Sequence, residues 1–499
     1  MLTRSGHKYS VLIALAIVLV YLFLAGVCIE TAVPWNDEAW YASPALSLIS
    51  NGNTGTPILE TAGKFWQGIH QRTYWVMPLY FYAEAPWFEI FRFSLTSARA
   101  FAVCWGLLAM TCWALIVLKL THNTAMALVT MALMACDYQF VEQTSLARMD
   151  AMAIALAALG ILLYLILRER QLIWACFASH AAVVASGLTH PTIGVPAFCV
   201  VAFLVIYLDW RRMRIPHVLV SLVPYLAGAA FWWWYISPAP DLFRAQFFGN
   251  VTDIDRLGGF GHPLNAVIRE AGRYLQMAGI GEGHSPFTKL KAISVVFHFA
   301  AVIALLLTSA ARRDRGIRTL LWVYAVYLLC MTFYDNTKEV KYAINTIGIY
   351  AAITAACIVY YWRAYPKVRL LIGAAAGLLL LTGVSGLLYV GLVKDYYRYD
   401  FLPAAEFVER SASPNDLILA SSEFGFPLGF NRNIVDDSSF TYNSHKVPKF
   451  ILVGPGYRNV LSHDGRLSRF LADMLAQHYS LAYSHGSYAI YQFHEKRPF

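Results

Sequence analysis

The chain has 499 residues, 58% of them hydrophobic and only 14% charged, with a mean hydropathy of +0.50, which excludes an ordinary water-soluble protein of this size. Its formal charge of +9 does not point to nucleic acid, because the cations collect in short connectors between apolar runs, at Arg168–Arg170, Asp209–Arg214, Ala311–Arg318 and Tyr361–Arg369, as they do in loops kept on the cytoplasmic side of a membrane. The eight cysteines lie in or beside apolar runs without metal-type spacing and read as packing residues.

Tyr9–Ile29 is the first apolar run. It exceeds a signal-peptide core and lacks an A-x-A cleavage site, so it is predicted to be an uncleaved span. Ten further spans are predicted near 95–118, 123–141, 148–167, 171–188, 191–208, 217–236, 290–310, 319–333, 342–361 and 370–393. Runs of this length satisfy their own backbone in hydrocarbon only as helices, so the fold class is mainly α, a polytopic membrane protein with about eleven transmembrane helices. An N-terminus inside puts all four basic connectors on the cytoplasmic face and the C-terminus outside. A transmembrane domain over 1–393 then carries two external loops, 30–94 and 237–289, and is followed by an external domain over 394–499.

In the first loop, the segments starting at Asp37 and Tyr74 carry aromatic and aliphatic faces suited to interfacial helices. The C-terminal region reads as a small α/β domain: a helix at Ala404–Ser411, strands at Asp416–Ser421 and Lys449–Pro455, an amphipathic helix at Leu467–Tyr479, and a hairpin at Ser480–Phe493 turning at His485-Gly486. "GPGY" at Gly454–Tyr457 lacks a dinucleotide fingerprint's third glycine and reads as a turn.

Three groups of ionisable residues converge on the outer face. Asp37 and Glu38 follow the first span directly, flanked by Trp35, Trp40 and Tyr41. They suit either a helix N-terminus or a lipid head group presented at the surface. Asp150, with Arg148 two residues before it, sits in the first turn of the fourth span, where an ionisable residue needs a partner or a task. Lys338 and Lys341, beside Tyr342, crowd a short external loop and suit an anionic head group or the phosphates of the bilayer. Carboxylates and cations above hydrocarbon fit transfer of a group from a lipid phosphate to a hydroxyl: the carboxylate takes the acceptor proton and the cations stabilise the departing phosphate.

The order of "DEAWYA" after the first span, "MPLYFY" at Met77–Tyr82, Arg99, "ARMDAMAIALAALGILLYL", "LTHPTIGVPAF" at Leu188–Phe198 and "KYAINTIGIYAAI" at Lys341–Ile353 resembles the protein O-mannosyltransferase and aminoarabinose (lipid A) transferase superfamily. These are integral-membrane glycosyltransferases of the GT-C fold. The resemblance, over about residues 9–393, implies a polyprenyl-phosphate sugar donor and inversion at the anomeric carbon. It implies that Asp37 is the catalytic carboxylate supported by Glu38, that Asp150 is the second acid, and that Lys341 and Tyr342 meet the lipid phosphate. A hydroxyl acceptor in a glycolipid, polysaccharide or protein, and a bacterial inner membrane with the site on the periplasmic side, complete the expectation.

The chain departs from this pattern at two places. Trp75 stands where a lysine of a "KPPL" stretch is expected, with Arg72 or His70 as replacements for its charge. In the second loop Asn250 stands near an expected histidine, with Arg256 and His262 nearby. The substrate-binding candidates are Trp40, Tyr41, His70, Arg148, Arg256 and His262, and the donor-phosphate candidates are Lys341, Tyr342, Lys338 and Arg72. A divalent metal ion is left open, since no ligands share a strong metal spacing. The alternatives are a transporter or flippase of a lipid-linked saccharide, which would place ionisable groups near mid-membrane, and an inactive scaffold relative.

Overall fold

The computed structural model describes residues 4–253, 258–280, 286–430 and 433–494. Among them ten helices are long and apolar enough to cross a membrane, and a bent pair, Thr124–Ala135 with Tyr138–Thr144, passes the same test only when its two halves are taken together; all lie at the positions that hydropathy predicts. In chain order, α1 (Arg4–Thr31) leads to α2 (Asn36–Asn51) and α3 (Leu79–Phe91) in the first loop. The bundle continues through α4 (Leu95–Thr121), α5 (Thr124–Ala135), α6 (Tyr138–Thr144), α7 (Met149–Leu167), α8 (Leu172–Thr189), α9 (Pro191–Asp209) and α10 (Ile215–Ile236). The later spans are Leu290–Leu307, Arg315–Phe333, Val340–Ala364 and an interrupted helix over Pro366–Ser411. The span at 340–364 is almost wholly enclosed by its neighbours, whereas α10 and 366–411 show most of their apolar surface outward, as helices bordering lipid do.

Polar caps set the helix starts. Ser94 accepts the Ser97 N–H, Asn123 those of Ala125 and Met126, and Asp314 that of Ile317. One cap reshapes a span. Asp137 has extended backbone and accepts the Phe140 N–H at 2.7 Å, so the expected straight run over 123–141 is two helices, α5 and α6, bent by 66°. Gly383 passes against this break; a Cβ there would stand 1.9 Å from the Cys136 carbonyl oxygen, so the neighbouring helix approaches only because it has none.

The C-terminal part forms a mixed five-stranded sheet in the order β2-β1-β3-β5-β4, with β1 (Ile418–Leu419), β2 (Ile434–Val435), β3 (Phe450–Val453), β4 (Tyr479–His485) and β5 (Tyr488–Phe493). β1 runs parallel to β2 and β3, while β5 is antiparallel to β3 and β4. The hairpin and amphipathic helix, at Gly465–His478, lie where expected. The short β2 was not foreseen, because two residues carry no alternation. "GPGY" opens a helix, Pro455–His463, with Pro455 in its first turn.

This domain shares a core with the first loop. Phe401, Ala404, Phe424 and Phe450 pack in one cluster with Tyr41, Trp75, Tyr80 and Phe81, and Ile58 and Glu60 exchange backbone hydrogen bonds with Asp436. The Trp40 indole donates to Ser422 Oγ at 2.7 Å and to Asp436 at 3.3 Å. The first loop is thus clamped between bundle and sheet, and this holds α2 in place.

Candidate active site

The N-terminus of α2, the start of α7 and the turn Val340–Ala343 meet at one end of the bundle. Asp37, in the first turn of α2, directs Oδ2 at Arg148 Nη1, which it contacts closely, and stands 3.8 Å from Lys341 Nζ. Arg148 is fully buried, its Nε donates to Asp150 Oδ2 at 3.0 Å, and its guanidinium lies over the rings of Trp35 and Tyr41 at 5.5 and 5.7 Å. One cation therefore joins the two acids that sequence reasoning selected. Lys341 also pairs with Glu339 at 2.6 Å and lies over the Tyr342 ring at 5.4 Å.

Exposure separates the members of this cluster. The Asp150 and Arg148 side chains are wholly enclosed, whereas Asp37 is 14% and Lys341 20% exposed. Asp37, Lys341 and Glu339, the last 43% exposed, are thus the members of the cluster open to solvent. Lys341 lines a cavity of about 790 Å³ together with the polar or charged Glu142, Lys291, Glu339 and Lys394 and the apolar Leu133 and Leu379. A lining of both charged and apolar residues suits an amphiphile.

Glu38, expected beside Asp37 as a catalytic group, is fully committed elsewhere. Its carboxylate accepts Arg99 Nε and Nη2 at 2.8 and 2.9 Å, the Ala147 N–H at 2.8 Å and the Trp35 N–H at 2.8 Å. Arg99 Nη1 donates in turn to the Ile29 and Ala32 carbonyls. With both side chains at zero exposure, this bidentate pair ties the end of α1 to α2, α4 and the start of α7. Two adjacent acids have opposite fates because successive helical positions point about 100° apart.

Lys338, expected at the donor phosphate, is likewise committed. Its ammonium donates to the Met331 and Thr332 carbonyls at 2.7 and 2.6 Å and pairs with Glu270 at 3.0 Å. Burial holds its pKa below the usual lysine value. Trp40 is bonded to Ser422 and Asp436, while Tyr41 is buried under Arg148 and stacks on Trp75 at 5.8 Å. His70 is exposed. Arg72 stands next to Tyr74 and Tyr82 and gives its carbonyl to Gln246; neither it nor His70 belongs to the ion pairs around Asp37. Trp75 does not offer a replacement charge; it closes an aromatic cluster with Trp40, Tyr41 and Trp66. His262 is exposed at the start of the helix Pro263–Met277, and Arg256 lies outside the described residues.

Sequence reasoning missed His190, which ends α8, caps α9, meets the Tyr342 ring at 5.4 Å and approaches Asp150. Its signal was a polar residue immediately before a helix-opening proline, in "LTHPTIG". No three His, Cys, Asp or Glu side chains gather as a metal shell among the described residues. Between Asp37 and Asp150, where an ion would bridge two acids, stands the guanidinium of Arg148.

No family model matches the chain, and no curated protein matches it in sequence. Solved structures do match in fold. ArnT from Cupriavidus metallidurans bound to undecaprenyl phosphate superposes with a TM-score of 0.62 at 13% identity, over 96% of this chain and 97% of that one. Its apo form gives 0.61 at 15% identity over 98% of both chains. The oligosaccharyltransferase AglB from Archaeoglobus fulgidus, in complex with an inhibitory peptide and a dolichol-phosphate, gives 0.50 at 13% identity over 96% of this chain and 69% of that one. The chain is a multi-pass membrane protein with the GT-C glycosyltransferase fold, including the small C-terminal sheet domain.

Proposed function

We propose that this chain is an inverting glycosyltransferase that moves a sugar from a polyprenyl-phosphate donor to a hydroxyl acceptor at the outer, periplasmic face of a bacterial inner membrane. The observation that carries the reading is that Asp37 and Lys341 stand 3.8 Å apart, each partly exposed beside the buried Arg148–Asp150 pair, and that Lys341 lines the cavity. The two neighbouring folds hold undecaprenyl phosphate in ArnT and dolichol-phosphate in AglB, which supports a lipid-phosphate donor here.

The donor phosphate enters against Lys341 with its prenyl chain against the apolar residues that line the cavity. Lys341 is shared with Asp37 at 3.8 Å and Glu339 at 2.6 Å. A phosphate that draws it away leaves the Asp37 carboxylate with one cation, Arg148, rather than two, and so with more of its charge available to an acceptor proton. Asp37 takes that proton while the acceptor oxygen attacks the anomeric carbon. The bond from that carbon to the phosphate oxygen breaks on the opposite face, and its electron pair leaves on the lipid phosphate, held by Lys341. Asp150 and Arg148 keep Asp37 in place and offer it one fixed hydrogen-bond direction.

The test is release of polyprenyl phosphate from undecaprenyl-phosphate mannose, glucose, galactose and aminoarabinose, with a membrane extract as acceptor source. Turnover of one donor by the parental protein and none by Asp37→Asn is the expected result. No turnover of any donor would leave the transferase reading without support and put transport of a lipid-linked saccharide in its place.

A further inference from the structure

The chemistry above does not use His190. Its Nδ1 accepts the Thr192 N–H at 3.3 Å and so caps α9, whose first residue is Pro191. A nitrogen that accepts carries no proton, so in the neutral ring the proton sits on Nε2. Nε2 stands 3.9 Å from Asp150 Oδ1, between side chains that are 4% and 0% exposed. Asp150 Oδ2 holds Arg148, but Oδ1 is buried without a hydrogen bond, which is costly for a carboxylate oxygen. The gap exceeds a direct hydrogen bond by less than 1 Å, so a small side-chain rotation closes it.

We infer that His190 is a positioning residue of the transfer. Its Nε2–H fixes Asp150 through Oδ1, so that Asp150 presents Arg148, and through it Asp37, in one orientation. This inference rests on the transferase reading. The imidazole meets Asp150 at the start of α7 and Tyr342 in the turn 340–343, while Arg148 and Lys341 act on Asp150. Among these, Asp150 holds the oxygen that lacks a donor.

The cap and the donor use different ring nitrogens, so two substitutions separate them. His190→Asn keeps a short side-chain acceptor for the Thr192 N–H, at which asparagine excels, but does not reach Asp150. His190→Gln extends an amide N–H to the Nε2 position. With undecaprenyl-phosphate mannose, glucose, galactose and aminoarabinose as the donors tested, the parental protein and both variants are compared for Tm, KM and kcat. The expected result is a parental Tm and donor KM for His190→Asn with kcat about ten- to a hundredfold lower, the scale of a misplaced catalytic group, and recovery of most of that loss in His190→Gln.

A folded His190→Asn with kcat within twofold of the parent overturns the inference. Should that variant fail to fold, His190→Gln decides alone: near-parental kcat supports the role, and a tenfold loss overturns it. A parental protein that turns over no donor removes the transferase reading and this inference together; parental turnover undiminished in His190→Asn removes this inference only.

Discussion

Lys338 and Lys341 lie three residues apart in one segment joining two spans, and the structure gives them different partners. Lys338 is 5% exposed and spends its ammonium on two carbonyls and Glu270, inside a network where Arg273 also holds Glu270 and Asp335. Lys341 is 20% exposed, pairs with the exposed Glu339 at 2.6 Å and with Asp37 at 3.8 Å, and lines the cavity. The first lysine staples the helix Pro263–Met277 to the turn, and the second is available to a ligand. Asp37 and Glu38 divide in the same way, which shows that an ionisable residue near a membrane surface is informative only with its partners counted.

The largest expected effect breaks the accessible pair. Asp37→Asn should lower kcat by roughly 10²–10⁴-fold, the range for losing a general base, with Tm near parental because the side chain is partly solvated. Lys341→Met should raise donor KM and lower kcat together, by about tenfold or more overall, whereas Lys338→Met should leave turnover per folded molecule unchanged and cost stability, on the order of 1–3 kcal/mol for a disrupted buried network. Kinetics and thermal melts on both lysine variants decide this; equal kinetic damage from the two would erase the distinction.

Glu38→Gln sharpens the comparison between the acids. It leaves the buried Arg99 guanidinium without its counter-charge, so about 3–5 kcal/mol of stability should be lost, visible as poor yield or a Tm far below that of Asp37→Asn. A stable Glu38→Gln with lost turnover would return Glu38 to the reaction.

The remaining effect is one of pH and lies in the C-terminal domain. Burial pushes the Glu423 carboxyl up to about 8, against a hydrogen bond from Ser421 at 2.5 Å, and burial raises Asp436 as well. The folded state thus retains a proton on Glu423 that the unfolded chain releases above pH 4.5, so this group makes stability fall between pH 4.5 and about 8 and level off above. Denaturation across that range should show a shallower decline for Glu423→Gln, and an unchanged slope would remove Glu423 as its source.

Much of the fold was legible because hydropathy is a local, additive property: each span must bury its own backbone, so each announces itself. The break at Asp137 was not, because a single polar cap inside an apolar run barely changes the average. At the site, Asp37, Asp150, Lys341 and Tyr342 were expected from their place at the ends of spans and from the family resemblance, while the commitments of Glu38 and Trp40 depend on partners far along the chain. Arg99 is 61 residues from Glu38, and Ser422 is 382 from Trp40.

The sequence by itself therefore determined the membrane class, the candidate crossings and the small C-terminal α/β domain, since these follow from runs of neighbouring residues. Only the tertiary structure decided which charges pair with each other and which remain open to a substrate. Arg148 reaches Asp37 across 111 residues, and a buried charge takes its role from whatever folding brings within about 4 Å of it.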